Sequence, residues 1–222
     1  MLEVFNFRVI LDYMPLYFQC LWVTVWLSAV SLVGALALGI VACAMRLSRF
    51  GLLSRLAGIY IETIRSTPLL AQLYFFYFGL PSLGIGLTEY TTGILALTLN
   101  SGAYLAEIIR AGIVSVSTGQ VEAGIASGLA YAQRMRYIIL PQAIGVTTPP
   151  ILGQAIVLVK DSALLSLISI TELTRAGQLM TSERFMPAEG YITTAAFYLL
   201  IYYCLKAISS WVQKRLIFRE AR

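Results

Sequence analysis

The residues best placed to do work in this chain lie in one polar stretch, 122–141, which reads Glu-Ala-Gly-Ile-Ala-Ser-Gly-Leu-Ala-Tyr-Ala-Gln-Arg-Met-Arg-Tyr-Ile-Ile-Leu-Pro. It contains no nucleophile paired with a base and no set of metal ligands, so the chemistry it offers is mechanical. Residues 120–127 can form a short helix with Glu122 near its positive N-terminal end. Gly128 can supply the φ > 0 turn that ends that helix. Residues 129–137 can form a second short helix at an angle, carrying Arg134 and Arg136, and Pro141 is tolerated near the start of the helix that follows. A bent pair of this kind can lodge in a partner's groove and move as one body. Its other reading is an ordinary helix-turn-helix between two longer elements.

Polar and ionisable residues inside apolar sequence form a second group. They are expensive in lipid and mark packing contacts or pathways. Asn100, Tyr104 and Glu107 recur at i, i+4 and i+7 and share one helix face, with Arg110 three residues beyond. That stripe reads equally as packing glue or as the lining of a watery route. Glu62 and Arg65 are three apart and can pair. Lys160-Asp161-Ser162 interrupts an apolar run and could unwind a helix end, baring backbone groups of the kind from which transporters build sites. Asp161 could meet an ammonium group, or Lys160 could merely neutralise it.

The elements that must position these residues follow from composition. The chain has 222 residues, of which 59% are hydrophobic and only 12% charged. Apolar residues come in long blocks, as in an integral membrane protein. Spanning helices are expected at 16–44, 56–80, 91–114, 137–159 and 191–211, the second containing Pro68 and the fourth broken by Pro149-Pro150. Gly34 and Gly39 suit close helix packing. The stretch 173–189 reads as a loop with some helix. No N-terminal signal peptide is expected, because the first apolar block is too long.

Basic residues alternate between loops. Arg46, Arg49 and Arg55 follow the first block, and none follows the second. Arg134 and Arg136 lie after the third, and Lys214, Arg215, Arg219 and Arg222 follow the last. The positive-inside rule then gives an all-α integral membrane protein with five transmembrane helices. Its N-terminus is outside and its C-terminus inside, and the loop at about 118–141 lies in the cytoplasm. Residues 1–222 read as a single transmembrane domain without an internal repeat. The same rule accounts for the net charge of +5, so no nucleic-acid partner is expected. Cys20, Cys43 and Cys204 have no metal or redox spacing and read as apolar side chains. The absence of His removes metallo- and Ser-His chemistry, and the absence of a Walker A sequence removes ATP hydrolysis by that route.

The register Glu122, Ala123, Gly128, Ile138, Leu140 and Pro141 resembles the cytoplasmic Glu-Ala-Ala loop of ABC importer permeases, with Gly124 where a second Ala is usual. The segments beginning Arg65-Ser-Thr-Pro-Leu, Leu99-Asn-Ser-Gly-Ala-Tyr and Val159-Lys-Asp-Ser-Ala-Leu are similar to the polar-amino-acid branch of that family, the branch of the histidine and glutamine permeases. Ser66, Gly102 and Ser162-Ala163 depart from its usual forms. The resemblance implies a five-helix permease subunit that is not itself an enzyme. It implies a second permease subunit, identical or homologous, and two cytoplasmic ABC ATPase subunits that bind ATP and Mg, so this chain needs no cofactor. It implies an extracytoplasmic amino-acid-binding protein and a place in the bacterial inner membrane. It assigns ATPase coupling to Glu122, Ala123, Gly124, Gly128, Ile138, Leu140 and Pro141, and a substrate pathway to Asn100, Tyr104, Glu107, Lys160, Asp161 and Ser162. The rival reading is an ion-coupled secondary transporter or a channel subunit. That rival needs no fixed cytoplasmic docking loop.

Overall fold

Long apolar runs leave the backbone no way to satisfy its N–H and C=O groups in lipid except by helix, and the computed structural model is helical wherever it is regular. It describes residues 5–220, with side chains through Lys214, so the expected basic tail residue Arg222 lies outside the described residues. The helices are α1 (Phe7–Arg46), α2 (Gly51–Arg65), α3 (Leu69–Tyr74), α4 (Leu80–Ser82), α5 (Glu89–Val114), α6 (Thr118–Ala126), α7 (Tyr131–Arg134), α8 (Leu140–Asp161), α9 (Leu173–Arg184) and α10 (Pro187–Glu220). No strand occurs among the described residues. Helical turns are unbroken from Tyr131 to Ile168, through α7, α8 and a 3₁₀ stretch at Ser162–Ile168.

Among the described residues, four helices are long and apolar enough to cross a membrane: Phe7–Arg46, Glu89–Val114, Tyr131–Ile168 and Pro187–Lys214. The chain is therefore a multi-pass membrane protein. Block 56–80, expected as one span, is interrupted. Pro68 has no N–H and holds Thr67 away from the α region, so α2 stops at Arg65 and Pro68 becomes the extended N-cap of α3. By contrast, Pro149 and Pro150 do not break α8. α1 begins nine residues before the expected boundary at 16, and at about 60 Å it is longer than a membrane is thick.

Two π-turns have the same cause. Phe75–Gly79 precedes Pro81, and Met135–Ile139 precedes Pro141. A proline ring clashes with the carbonyl four residues back. Widening the turn relieves that clash, and the N–H groups of Leu80 and Leu140 reach back five residues to Phe75 and Met135.

The chain divides into two compact units. One comprises Met1–Val33, Thr67–Thr98 and Ile156–Ala207. Its core joins Leu27, Leu73, Leu97, Leu158, Leu165 and Ile168, and a second cluster joins Tyr17, Cys20, Leu173, Met180 and Ile201. The Tyr17 hydroxyl donates to the Gly190 carbonyl at 2.7 Å, and the Leu173 N–H donates to Thr24 Oγ1 at 3.1 Å. The other unit comprises Gly34–Ser66, Leu99–Ala155 and Ile208–Arg222. Its core is built from Ala42, Cys43, Ile61 and Ala106. There α1 and α5 touch backbone to backbone, as Gly39 was expected to allow: a Cβ on Gly39 would stand 2.9 Å from Leu105 Cβ. Large apolar side chains such as Trp22 (68%), Ile59 (63%) and Tyr203 (58%) face outward. In water these would be liabilities; in lipid they are the solvated surface.

Candidate functional site

The polar stretch is a braced turn. α6 runs from Thr118 to Ala126, two residues earlier than expected. Gly128 has φ of 76°, in the left-handed region that glycine enters without strain. The Gly128 N–H donates to the Ile125 carbonyl at 2.9 Å, and the Leu129 N–H donates to the Gly124 carbonyl at 3.0 Å. Those two bonds make a Schellman cap, which satisfies the last carbonyls of the helix. The second limb differs from expectation. It is not a separate helix over 129–137. It starts at Tyr131 and passes through the π-turn into α8 without a break.

Three contacts tie the limbs together. Arg134 Nη1 donates to the Leu129 carbonyl at 2.6 Å. Gln142 Nε2 donates to Gln120 Oε1 and, at 2.8 Å, to the Ile138 carbonyl. At Gly124, a Cβ would approach Ile138 Cδ1 to 2.7 Å and Arg134 Cδ to 3.2 Å. That closeness is a local reason for glycine where the resemblance has alanine. Glu122, Ala123 and Gly128 are exposed while Gly124 is buried against the second limb. The motif thus separates into an outer face, Glu122 and Ala123, and an inner brace, Gly124 and Ile138. Leu140 is exposed and Pro141 follows it at the head of α8.

The polar stripe on α5 is arranged by charge. Glu107 receives Arg110 Nε–H at 2.9 Å and a second bond from Nη2, so the carboxylate is closed by its own helix. Arg65 does not pair with Glu62, and Glu107–Arg110 is the one ion pair among the described residues. The Arg65 guanidinium lies instead over the Tyr104 ring, 5.3 Å from its centroid. Asn100 is buried at 5% exposure. Next to it, the Tyr60 hydroxyl donates to the Leu99 carbonyl at 2.7 Å, and Gln154 Nε2 donates to Ser101 Oγ at 3.4 Å. The sequence marked Arg65 but not its aromatic partner. A cation on one helix and a Tyr on another have no fixed spacing to read.

Lys160-Asp161-Ser162 does not unwind. The α8 helix tightens into 3₁₀ turns at Ser162, which hold the backbone hydrogen-bonded until Ser169 turns left-handed at φ of 68°. Ser162 is fully buried and its hydroxyl donates to the Val159 carbonyl at 2.8 Å. Lys160 is exposed and Asp161 is half-buried, with no N···O approach within 4.0 Å between them.

A buried carboxyl lies at the edge of the stretch that read as a loop with some helix. Glu172 is fully buried at the N-cap of α9. Its Oε1 accepts from the Arg175 N–H at 2.9 Å, and its Oε2 accepts from the Tyr198 hydroxyl at 2.7 Å. Burial pushes this carboxyl up from the ordinary value, against the pull of those hydrogen bonds. An acidic N-cap three residues before Arg175 was a legible start signal for α9; its burial was not.

Known proteins share this chain's sequence and fold. The family described as binding-protein-dependent transport system inner membrane component matches residues 35–219. The probable glutamine ABC transporter permease protein GlnM of Bacillus subtilis (strain 168) is 38% identical over 211 residues, covering 95% of this chain and 98% of that protein. The glutamine transport system permease protein GlnP of Escherichia coli (strain K12) is 35% identical over 214 residues, covering 96% and 98%. A crystal structure of an amino acid ABC transporter with histidines superposes with a TM-score of 0.92 at 36% identity, covering 96% of this chain and 99% of that one. The inward-facing MetNI methionine ABC transporter, at 20% identity and a TM-score of 0.74 over 91% of this chain and 97% of that one, shares the fold.

Proposed function

This chain belongs to the family of binding-protein-dependent transport system inner membrane components, and from that membership we propose that it is the permease subunit of an ATP-driven importer of polar amino acids. Glutamine is the first solute to test, because GlnM and GlnP are named for it. The chain supplies the route and a separate pair of ABC ATPase subunits binds ATP and Mg. A second permease subunit completes the pathway, and an extracytoplasmic binding protein delivers the solute. The setting is a bacterial inner membrane. Block 56–80, interrupted at Pro68, supplies the fifth crossing, with the N-terminus outside and the C-terminus inside; residues 1–222 act as one permease domain.

The observation that carries this reading is the braced turn at Gly128. Glu122, Ala123, Gly124, Gly128, Ile138, Leu140 and Pro141 form the element that couples to the ATPase. Glu122 and Ala123 face outward for a partner, and the second limb is continuous with α8, so a push on the turn is delivered along a spanning helix rather than lost in a flexible linker. Asn100, Tyr104, Glu107, Lys160, Asp161 and Ser162 are the pathway candidates. The Arg65–Tyr104 stack and the closed Glu107–Arg110 pair favour a route that presents a cation and hydrogen-bond donors to a carboxylate.

The experiment is ATP-dependent glutamine uptake into proteoliposomes holding the complex, with Gly128→Val as the variant. A β-branched residue at positive φ costs roughly 1–2 kcal/mol, enough to shift the cap. Uptake and substrate-stimulated ATP hydrolysis should both collapse while membrane insertion and yield persist. Wild-type rates in the variant would remove Gly128 from the coupling role.

A further inference from the structure

The unit that carries the braced turn also contains a cavity of about 780 Å³ that nothing above uses. Its walls come from the end of α1, the end of α5, and α7 with the head of α8. At about 1.5 Å per residue, Leu36 to Leu47 on one wall and Leu140 to Ile151 on another each extend about 16 Å. The cavity is therefore a slot along the helices. Its depth is hydrocarbon; the one hydroxyl there, Thr147 Oγ1, is spent on the Ala143 carbonyl at 2.8 Å. A polar solute would find no anchor inside.

The polar groups collect at one end. Ser48, Arg49 and Tyr131 line the mouth, where α1 ends and α7 begins. Arg49 is exposed and has no hydrogen bond or ion pair among the described residues. Its neighbours are committed: Arg46 donates to the Ser54 carbonyl at 3.3 Å and Arg134 to the Leu129 carbonyl. A narrow apolar slot with one uncommitted cation at its mouth matches an amphiphile with an anionic head.

We propose that this slot binds one anionic phospholipid, with an acyl chain between α1, α5 and α8 and its phosphate on Arg49. Basic pockets between transmembrane helices recognise phospholipid heads in this way. A lipid seated there packs against the same α8 that continues from the turn, so its occupancy stiffens the element that the turn must move. The inference rests on the chain's spanning a membrane and not on the identity of the transported solute, so a failed glutamine uptake assay leaves it standing.

The test uses the complex purified with its co-assembling subunits in mild detergent. Native mass spectrometry should find phospholipid retained on this chain. After delipidation, palmitoyl-oleoyl phosphatidylglycerol should raise the thermal midpoint more than phosphatidylcholine of the same chains, and inorganic phosphate should not raise it. Arg49→Gln, an exposed position where folding is not at stake, should weaken phosphatidylglycerol retention about fivefold, the contribution of one surface cation. Ile144→Trp, which narrows the slot, should weaken retention of both lipids. Equal retention of the two lipids with no effect of Arg49→Gln overturns the proposal, as does an equal shift with inorganic phosphate. So does rapid disulfide cross-linking between two copies carrying Ile144→Cys in a Cys43→Ala, Cys204→Ala background, which would put a second permease over the slot.

Discussion

Glu172 is the residue whose surroundings conflict most with its charge. It is fully buried, yet it caps α9 and accepts from Tyr198. Burial raises its folded carboxyl above the unfolded value of about 4.3. The sign then follows. The protonated form is favoured by the fold, so its contribution to stability is fully present below the unfolded value and is lost as pH rises through the folded one. Glu172→Gln keeps an acceptor for the Arg175 N–H and cannot ionise. Wild type should therefore lose thermal stability relative to Glu172→Gln as pH climbs above the ordinary carboxylate range; parallel profiles would show that burial is not felt there. Asp161 is the second case. Because it makes no ion pair with Lys160, the substrate-contact role predicts that Asp161→Asn slows uptake while ATPase activity and yield hold. Lys160→Met added to it should not rescue transport. Rescue would make the pair structural after all.

Elements here are joined where side chains are absent. Gly39 of α1 lies against the backbone of Gly102 and Ala106 on α5, at 3.2 Å from where a Cβ would sit. In lipid, where burial of apolar area gains little, such closeness supplies the van der Waals contact that holds helices together. Gly39→Val should cost about 1–3 kcal/mol through forced separation, seen as a lower unfolding midpoint of the purified complex. Gly51→Ala is the control: nothing beyond its own chain neighbours and helix backbone lies within 4 Å of the added Cβ, and its effect should stay within about 0.5 kcal/mol. A comparable loss in both variants would mean that close approach at Gly39 is not what joins α1 to α5. Proline sets the remaining element boundaries by context. Pro68 follows a Thr that it forces out of the α region, and the helix ends. Pro81 and Pro141 are met by wide turns, and the helix goes on.

At the scale of the whole molecule the question is which side each loop faces. Ser82 and Ser127 are both exposed. Cys20 and Cys43 are buried and only Cys204 is exposed, so a Cys204→Ala background is quiet to reagent. In intact cells an impermeant maleimide should label Ser82→Cys from outside and reach Ser127→Cys only after the membrane is opened. The reverse pattern would take the braced turn out of the cytoplasm and detach it from any ATPase.

The sequence by itself determined that the chain is helical and membrane-embedded, because hydrocarbon admits no unsatisfied backbone and apolar blocks of this length have no other use. It also determined the turn at Gly128, since the cap is local: a glycine six residues past Glu122 closes α6 with its own neighbours. The positive-φ position and the register from Glu122 to Pro141 could be read without a fold. What depended on tertiary structure was everything decided by what a residue meets across space. Gly124 is buried by Ile138 and Arg134, Arg65 turns to Tyr104 rather than to Glu62, and the Lys160-Asp161-Ser162 stretch stays helical, with Ser162 buried where the 3₁₀ turns begin. Glu172 likewise is buried only where its helix meets Tyr198. Spacing along a chain reports which residues share a helix face; it does not report which other helix that face will find.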